Sequence, residues 1–155
     1  MKKYALARFI LSGQLGDLQP GQPFNSRKGQ WAPAFEVYEN GQTKTYKGKH
    51  AGFIVNVHVD DQKNITTIVL HLDELLKKQK IKLHDKKRNI ANMRIDQMVD
   101  FLDTHQKAWH FKTVLDKIIV IVVEDVHVEL TFSFYPQEKT PAFGHIEAKH
   151  FVPTT

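Results

Sequence analysis

The chain predicts an α+β fold: a mainly antiparallel, hairpin-rich sheet with one or two helices inserted between strand groups. Three observations carry this. Two β-rich runs, 53–60 and 65–72, flank a four-residue polar loop. The run Ile118-Ile119-Val120-Ile121-Val122-Val123 is followed by strict alternation from Val126 to Tyr135. Helical spacing is clear in one place, between strand groups rather than after each strand, which argues against a doubly wound layout. A curled sheet or a partly closed barrel is the structural alternative, because about eight short strands suffice to close one.

The first hairpin is the best defined. If Asp60 pairs with Ile65, Val59 faces Thr66, Val57 faces Ile68, Val55 faces Leu70 and Phe53 faces Leu72. That face is nearly all apolar, and a one-residue slip would pair apolar with polar side chains throughout. The six-residue run 118–123 has no polar side chain and reads as a central strand covered on both faces. Glu124-Asp125 is placed as a two-residue turn, although it lacks the glycine or asparagine such turns favour, so a bulge or wider turn is the alternative. A third hairpin spans Phe35 to Tyr46 and turns at Asn40-Gly41, whose residues accept the positive φ angles of a tight turn. Tyr4 to Leu11 and His145 to Val152 are assigned as terminal strands.

Ile95, Met98, Val99 and Leu102 repeat at helical spacing, so a helix is expected near Ile95 to Gln106. A shorter helix is expected from Asp73, a residue type suited to capping. The segment Ser12 to Gln30 holds glycines at 13, 16, 21 and 29 and prolines at 20 and 23 and reads as one long loop, a candidate lid. No internal repeat or linker is visible, so the expectation is a single globular domain over residues 1–155.

Composition sets the class. The chain has 155 residues, 41% apolar and 25% charged, enough for a real core. It contains no cysteine, which removes disulfides, thiolate metal sites and cysteine nucleophiles and suits a reducing compartment. Met1 to Leu11 faintly imitates a signal peptide, but Arg8 interrupts the apolar stretch and no small-residue cleavage site follows. No run is long enough for a membrane helix. The expected location is the cytoplasm.

Charge supplies the functional hint. Between Lys77 and Arg94 lie eight basic residues and one acidic one, a net +7 against +5 for the whole chain. The remaining residues therefore carry −2. Charge concentrated in this way makes a local field that attracts anions. Lys77 and Lys78 suit a helix C-terminus, and Lys80 and Lys82 alternate with Ile81 and Leu83 as in a guarded edge strand. Lys86, Lys87 and Arg88 have no such explanation, and with Arg94 they form the candidate contact patch for nucleic acid or an acidic protein.

Other chemistries find less support. Nine histidines are present, but no pair has the spacing of a zinc helix. His127 with Glu129, and His145 with Glu147, each lie two apart and would share a strand face, so a metal site requires those strands to be neighbours. No cofactor motif is found: Gly41 to Lys49 has six residues between its glycines where a phosphate loop needs four. Serine occurs only at 12, 26 and 133, none in a nucleophile elbow. An enzyme is the least supported class. The leading expectation is a non-enzymatic binding module with a basic patch. The alternatives are a small-ligand or lipid carrier, with a pocket between curled sheet and helix, and a protein that oligomerises through a sheet edge.

Overall fold

The computed structural model describes residues 5–29, 31–34, 44–71, 80–83, 86–89, 94–115, 118–133 and 142–149, with backbone alone for 34, 71, 80–83, 86–89 and 142–146. Its elements are α1 (Ala5–Ser12), β1 (Trp31–Ala34), β2 (Lys44–His50), β3 (Phe53–Val59), β4 (Ile65–His71), β5 (Lys80–Leu83), β6 (Lys86–Asn89), α2 (Ile95–Thr104), β7 (Trp109–Val114), β8 (Ile118–Val123), β9 (Val128–Ser133) and β10 (Ala142–Lys149). Eight strands form one open antiparallel sheet in the order β1-β2-β3-β4-β10-β9-β8-β7, and β5 and β6 form a separate two-stranded ribbon. The sheet is not closed into a barrel.

The order is a topological duplication. A helix followed by a four-stranded meander occurs twice, α1 with β1–β4 and α2 with β7–β10. The last strands of the two halves, β4 and β10, pair antiparallel at the centre, Ile68 opposite Ala148 and Leu70 opposite Ile146. No sequence repeat accompanies it.

Alternation on β3 buries Phe53, Val55, Val57 and Val59. They join Ile68 and Leu70 of β4, Ile121 and Val123 of β8, Leu130 and Phe132 of β9, and the buried faces of both helices in one core cluster. The expected pairs Val57–Ile68 and Val55–Leu70 are present. Val59, however, pairs with Ile65 rather than Thr66, because a bulge at this end leaves Thr66 unpaired in the ladder and its hydroxyl donates to the His58 carbonyl at 3.1 Å. Leu72 lies outside the described residues.

Several expectations are corrected. The first segment is a helix, not a strand. Leu6, Phe9 and Ile10 fall on one helical face and are fully buried. Gly13, at φ +74°, ends the helix by donating its N–H to the Phe9 carbonyl at 2.7 Å. The apolar run of β8 lies between β7 and β9 but is second from the edge, and its other face has no covering layer of described residues. Val120 and Val122 are half-buried there and Ile118 is 40% exposed. Branched side chains on a pleated surface shield one another without a second layer. The turn after β8 spans Glu124 to His127, since Val123 pairs with Val128. Without a glycine, the positive φ falls on His127 at +53°. Of the expected Phe35–Tyr46 hairpin, only the end of its second strand falls on described residues, inside β2; its first strand and its turn lie outside them, and the strand that pairs with β2 is the earlier β1, with Ala34 opposite Thr45. The expected helix from Asp73 also lies outside the described residues. The final strand begins earlier than expected, at Ala142.

Helix α2 buries Met98, Phe101 and Leu102. It ends in a Schellman motif: Lys107 N–H donates to the Leu102 carbonyl at 2.9 Å and Gln106 N–H to the Asp103 carbonyl at 3.0 Å. Gln106 occupies the left-handed position at φ +56°, where glycine has no steric cost. Gln106→Gly is expected to stabilise the fold by about 0.5–1 kcal/mol, the relief of strain exceeding the added freedom of the unfolded chain. A thermal melt reads this as a rise of about 2–3 °C. A fall in Tm would show that the left-handed residue is not strained.

Candidate functional site

The predicted basic residues are divided by the structure. In the ribbon, Lys80 pairs with Asn89, Ile81 with Arg88, Lys82 with Lys87 and Leu83 with Lys86. Five of its eight residues are basic and none is acidic. Strand alternation puts Lys80, Lys82 and Lys87 at register positions on one face, and Lys86 and Arg88 on the other with Ile81 and Leu83. Lys86, Lys87 and Arg88 are therefore not one flat patch; they populate both faces of one strand. The β5 backbone runs against both α1 and α2, whereas β6 pairs only with β5 among the described residues, so β6 is the outer strand. Lys82 directly opposite Lys87 is a like-charge pair, which costs stability in a ladder.

Arg94 is not part of the ribbon. It sits at the N-cap of α2, where its N–H donates to Gln97 Oε1 at 3.0 Å. Its guanidinium donates from Nε and Nη2 to Asp96 Oδ1 and Oδ2 at 3.1 and 3.2 Å. That forked hydrogen bond holds the Asp96 carboxyl below its ordinary range and raises Arg94 further. The Arg94 charge therefore already faces a carboxylate.

On the sheet face opposite the helices, β9 and β10 are neighbours, as a metal reading of their acids requires, and Glu129 stands opposite Glu147. His127 does not complete the set, and the side chain of His145 lies outside the described residues. His127 lies in the left-handed turn before β9, off the strand face, and among the described residues no group of three or more His, Asp or Glu converges. Lysines fill the site instead. Lys149 Nζ lies 3.2 Å from Glu129 Oε2 and 3.1 Å from Glu147 Oε2, and Lys112 Nζ lies 2.5 Å from Glu129 Oε1. Partial burial works to lower the Lys149 pKa, but Glu147 and Glu129 outweigh it and hold the ammonium above the usual lysine range. Sequence distance hides this cluster, since Lys112, Glu129 and Lys149 come from three separate strands.

The long loop is not a free lid. Gly21 N–H donates to the Ile65 carbonyl at 2.7 Å, Ile65 N–H to the Gln22 carbonyl at 2.8 Å, and Phe24 N–H to the Lys63 carbonyl at 2.8 Å. These bonds fasten it to the β3–β4 turn as a fixed wall. Trp109 anchors α2 to the sheet through Nε1 donating to Asp103 Oδ1 at 2.8 Å. Its neighbour on β7, Phe111, is 50% exposed on this edge strand, near exposed Val114, Leu115 and Ile118. No described helix is long and apolar enough to cross a membrane. No family model, curated protein or solved structure matches this chain.

Proposed function

We propose that the protein is a non-enzymatic binding module whose β5–β6 ribbon engages nucleic acid. The observation that carries this reading is a two-stranded ribbon whose eight described residues include five basic and no acidic one, with a like-charge pair across the ladder. A fold tolerates that repulsion at some cost, and an anionic partner offsets it. The shape supports the same partner: four residues of β-strand span roughly 13 Å, and the major groove of duplex DNA, about 12 Å wide, admits a two-stranded ribbon. Phosphates neutralised by lysine and arginine release counterions, so affinity falls with salt.

Fluorescence-anisotropy titration against duplex and single-stranded DNA and RNA tests this. If the three basic residues of β6 each neutralise one phosphate, duplex affinity is expected to fall roughly 40-fold between about 50 and 200 mM salt. Absence of binding at the lower salt removes the reading. Binding to an acidic protein, but to no nucleic acid, would keep the ribbon and change its partner.

A second reading rests on the sheet edges. Pro33 interrupts the donor row of edge strand β1, but β7 has no proline and carries exposed Phe111 and Val114. Antiparallel pairing of β7 with a second copy would extend the sheet. Light scattering at rising concentration is expected to show a dimer that Val114→Lys returns to monomer; a monomer throughout removes this reading.

A further inference from the structure

The geometry points to a second binding site, a cleft for a nucleoside phosphate between the 12–30 loop and the start of β2. This takes up the small-ligand alternative but relocates it, since the cleft lies against the loop wall rather than between sheet and helix. Its volume is about 680 Å³, within the range of small-molecule sites. The floor is apolar and aromatic: Phe24, Val59 and Tyr46 line it, with Phe24 and Val59 buried. The Phe24 and Tyr46 rings lie 5.3 Å apart, and Trp31 packs edge-on against Phe24 at 5.2 Å.

The rim carries cations from three separate segments, Arg27 of the loop, Lys44 of β2 and Lys63 of the β3–β4 turn. Among the described residues, none of the three has a carboxylate within ion-pair distance. Two acids, Asp60 and Asp61, share the rim with the three cations and leave it a net +1. Asp60 is tied to the turn, its Oδ1 accepting the N–H groups of Gln62 and Asn64 at 3.0 and 2.8 Å. The wall is rigid as well. Asn25 Oδ1 accepts the Arg27 N–H at 3.0 Å, and Phe24 is bonded to Lys63 through the backbone. An aromatic floor beneath unpaired cations suits a ligand with a planar ring and an anionic group, and a nucleoside phosphate has both.

Trp31 makes the site observable, because a ligand on Phe24 alters the environment of the indole. Adenosine 5′-monophosphate is expected to change Trp emission saturably, with a Kd between about 10 μM and 1 mM, and calorimetry on the same chain should give the same constant. Adenosine and inorganic phosphate, tested separately, are each expected to bind at least about tenfold more weakly. Arg27→Gln and Lys44→Gln, both surface changes, should each weaken the nucleotide about three- to tenfold. The variant with Lys86, Lys87 and Arg88 changed to glutamate should keep full affinity for the mononucleotide. Three results would overturn the site: no saturable heat or emission change at about 5 mM nucleotide, phosphate alone binding as well as the nucleotide, or loss of binding in the ribbon variant but in neither cleft variant.

Discussion

Changing Lys86, Lys87 and Arg88 together to glutamate is expected to raise the Kd for duplex DNA at least about 100-fold at low salt, and to cut the salt slope by nearly three. The change replaces three positive with three negative charges on the outer strand of the ribbon, so the field there reverses rather than fades. Both faces of β6 lose their cations, which separates this variant from changes on β5. Lys80→Glu with Lys82→Glu alters one face only and is expected to cost less. Arg94→Gln is expected to change affinity less than about threefold, because its guanidinium is already held by Asp96. Anisotropy titration of the four proteins, with far-ultraviolet circular dichroism to confirm folding, gives the comparison. Equal affinity in the triple variant and the unaltered chain would remove the ribbon as the contact surface.

Lys149→Met is expected to destabilise the fold by about 1 kcal/mol at pH 7, a value between those of exposed and buried ion pairs because the ammonium is 44% exposed while its partners are mostly buried. Lys149 bridges Glu129 and Glu147, which stand directly opposite each other on β9 and β10 with side chains only 15% and 26% exposed. Removing the bridge leaves two half-buried carboxylates face to face, and like charges so placed oppose the pairing of the two strands. Lys112 still neutralises part of Glu129, which keeps the loss below that of an isolated buried charge. The pH dependence follows from the sign of the change. Without Lys149, the two carboxylates repel each other across the ladder when both are charged, and protonating either one relieves that repulsion in the folded state. The folded state then holds protons more tightly, and the deficit against the unaltered chain shrinks as pH falls towards about 4.5. Adding Glu147→Gln to the variant is expected to restore most of the loss at neutral pH. Urea unfolding at both pH values measures this. A deficit of equal size at pH 7 and pH 4.5 would mean that lost packing, not charge, explains it.

Local periodicity made much of the sheet legible. The β3–β4 register could be assigned over Val55 to His58 because an apolar face of period two admits one register, whereas the bulge that moves Val59 to Ile65 left no mark in the pattern. Helix α2 was legible for the same reason with a different period, although Phe101, one of its buried residues, was not picked out. Helix α1 was misread because Ala5 to Leu11 is apolar at nearly every position and satisfies either period; the burial of Leu6, Phe9 and Ile10 decides for the helix. The site was legible only as charge. β5 showed an alternating pattern, but Lys-Lys-Arg-Asn has no apolar residue from which any period could be read, and its strand form comes from pairing with β5.

The amino-acid sequence by itself determined the antiparallel, hairpin-rich class, the register of its central hairpin, the position of α2 and the concentration of positive charge, since each is written in residues close along the chain. Only the tertiary structure decided that two helix-plus-meander halves meet at β4 and β10, that Lys86, Lys87 and Arg88 divide between two faces of a ribbon while Arg94 stands apart, and that Glu129, Glu147, Lys112 and Lys149 form one ionic cluster. Those outcomes depend on pairings between segments far apart in sequence. Such pairings are selected by burial of the whole apolar face at once, and no local pattern encodes them.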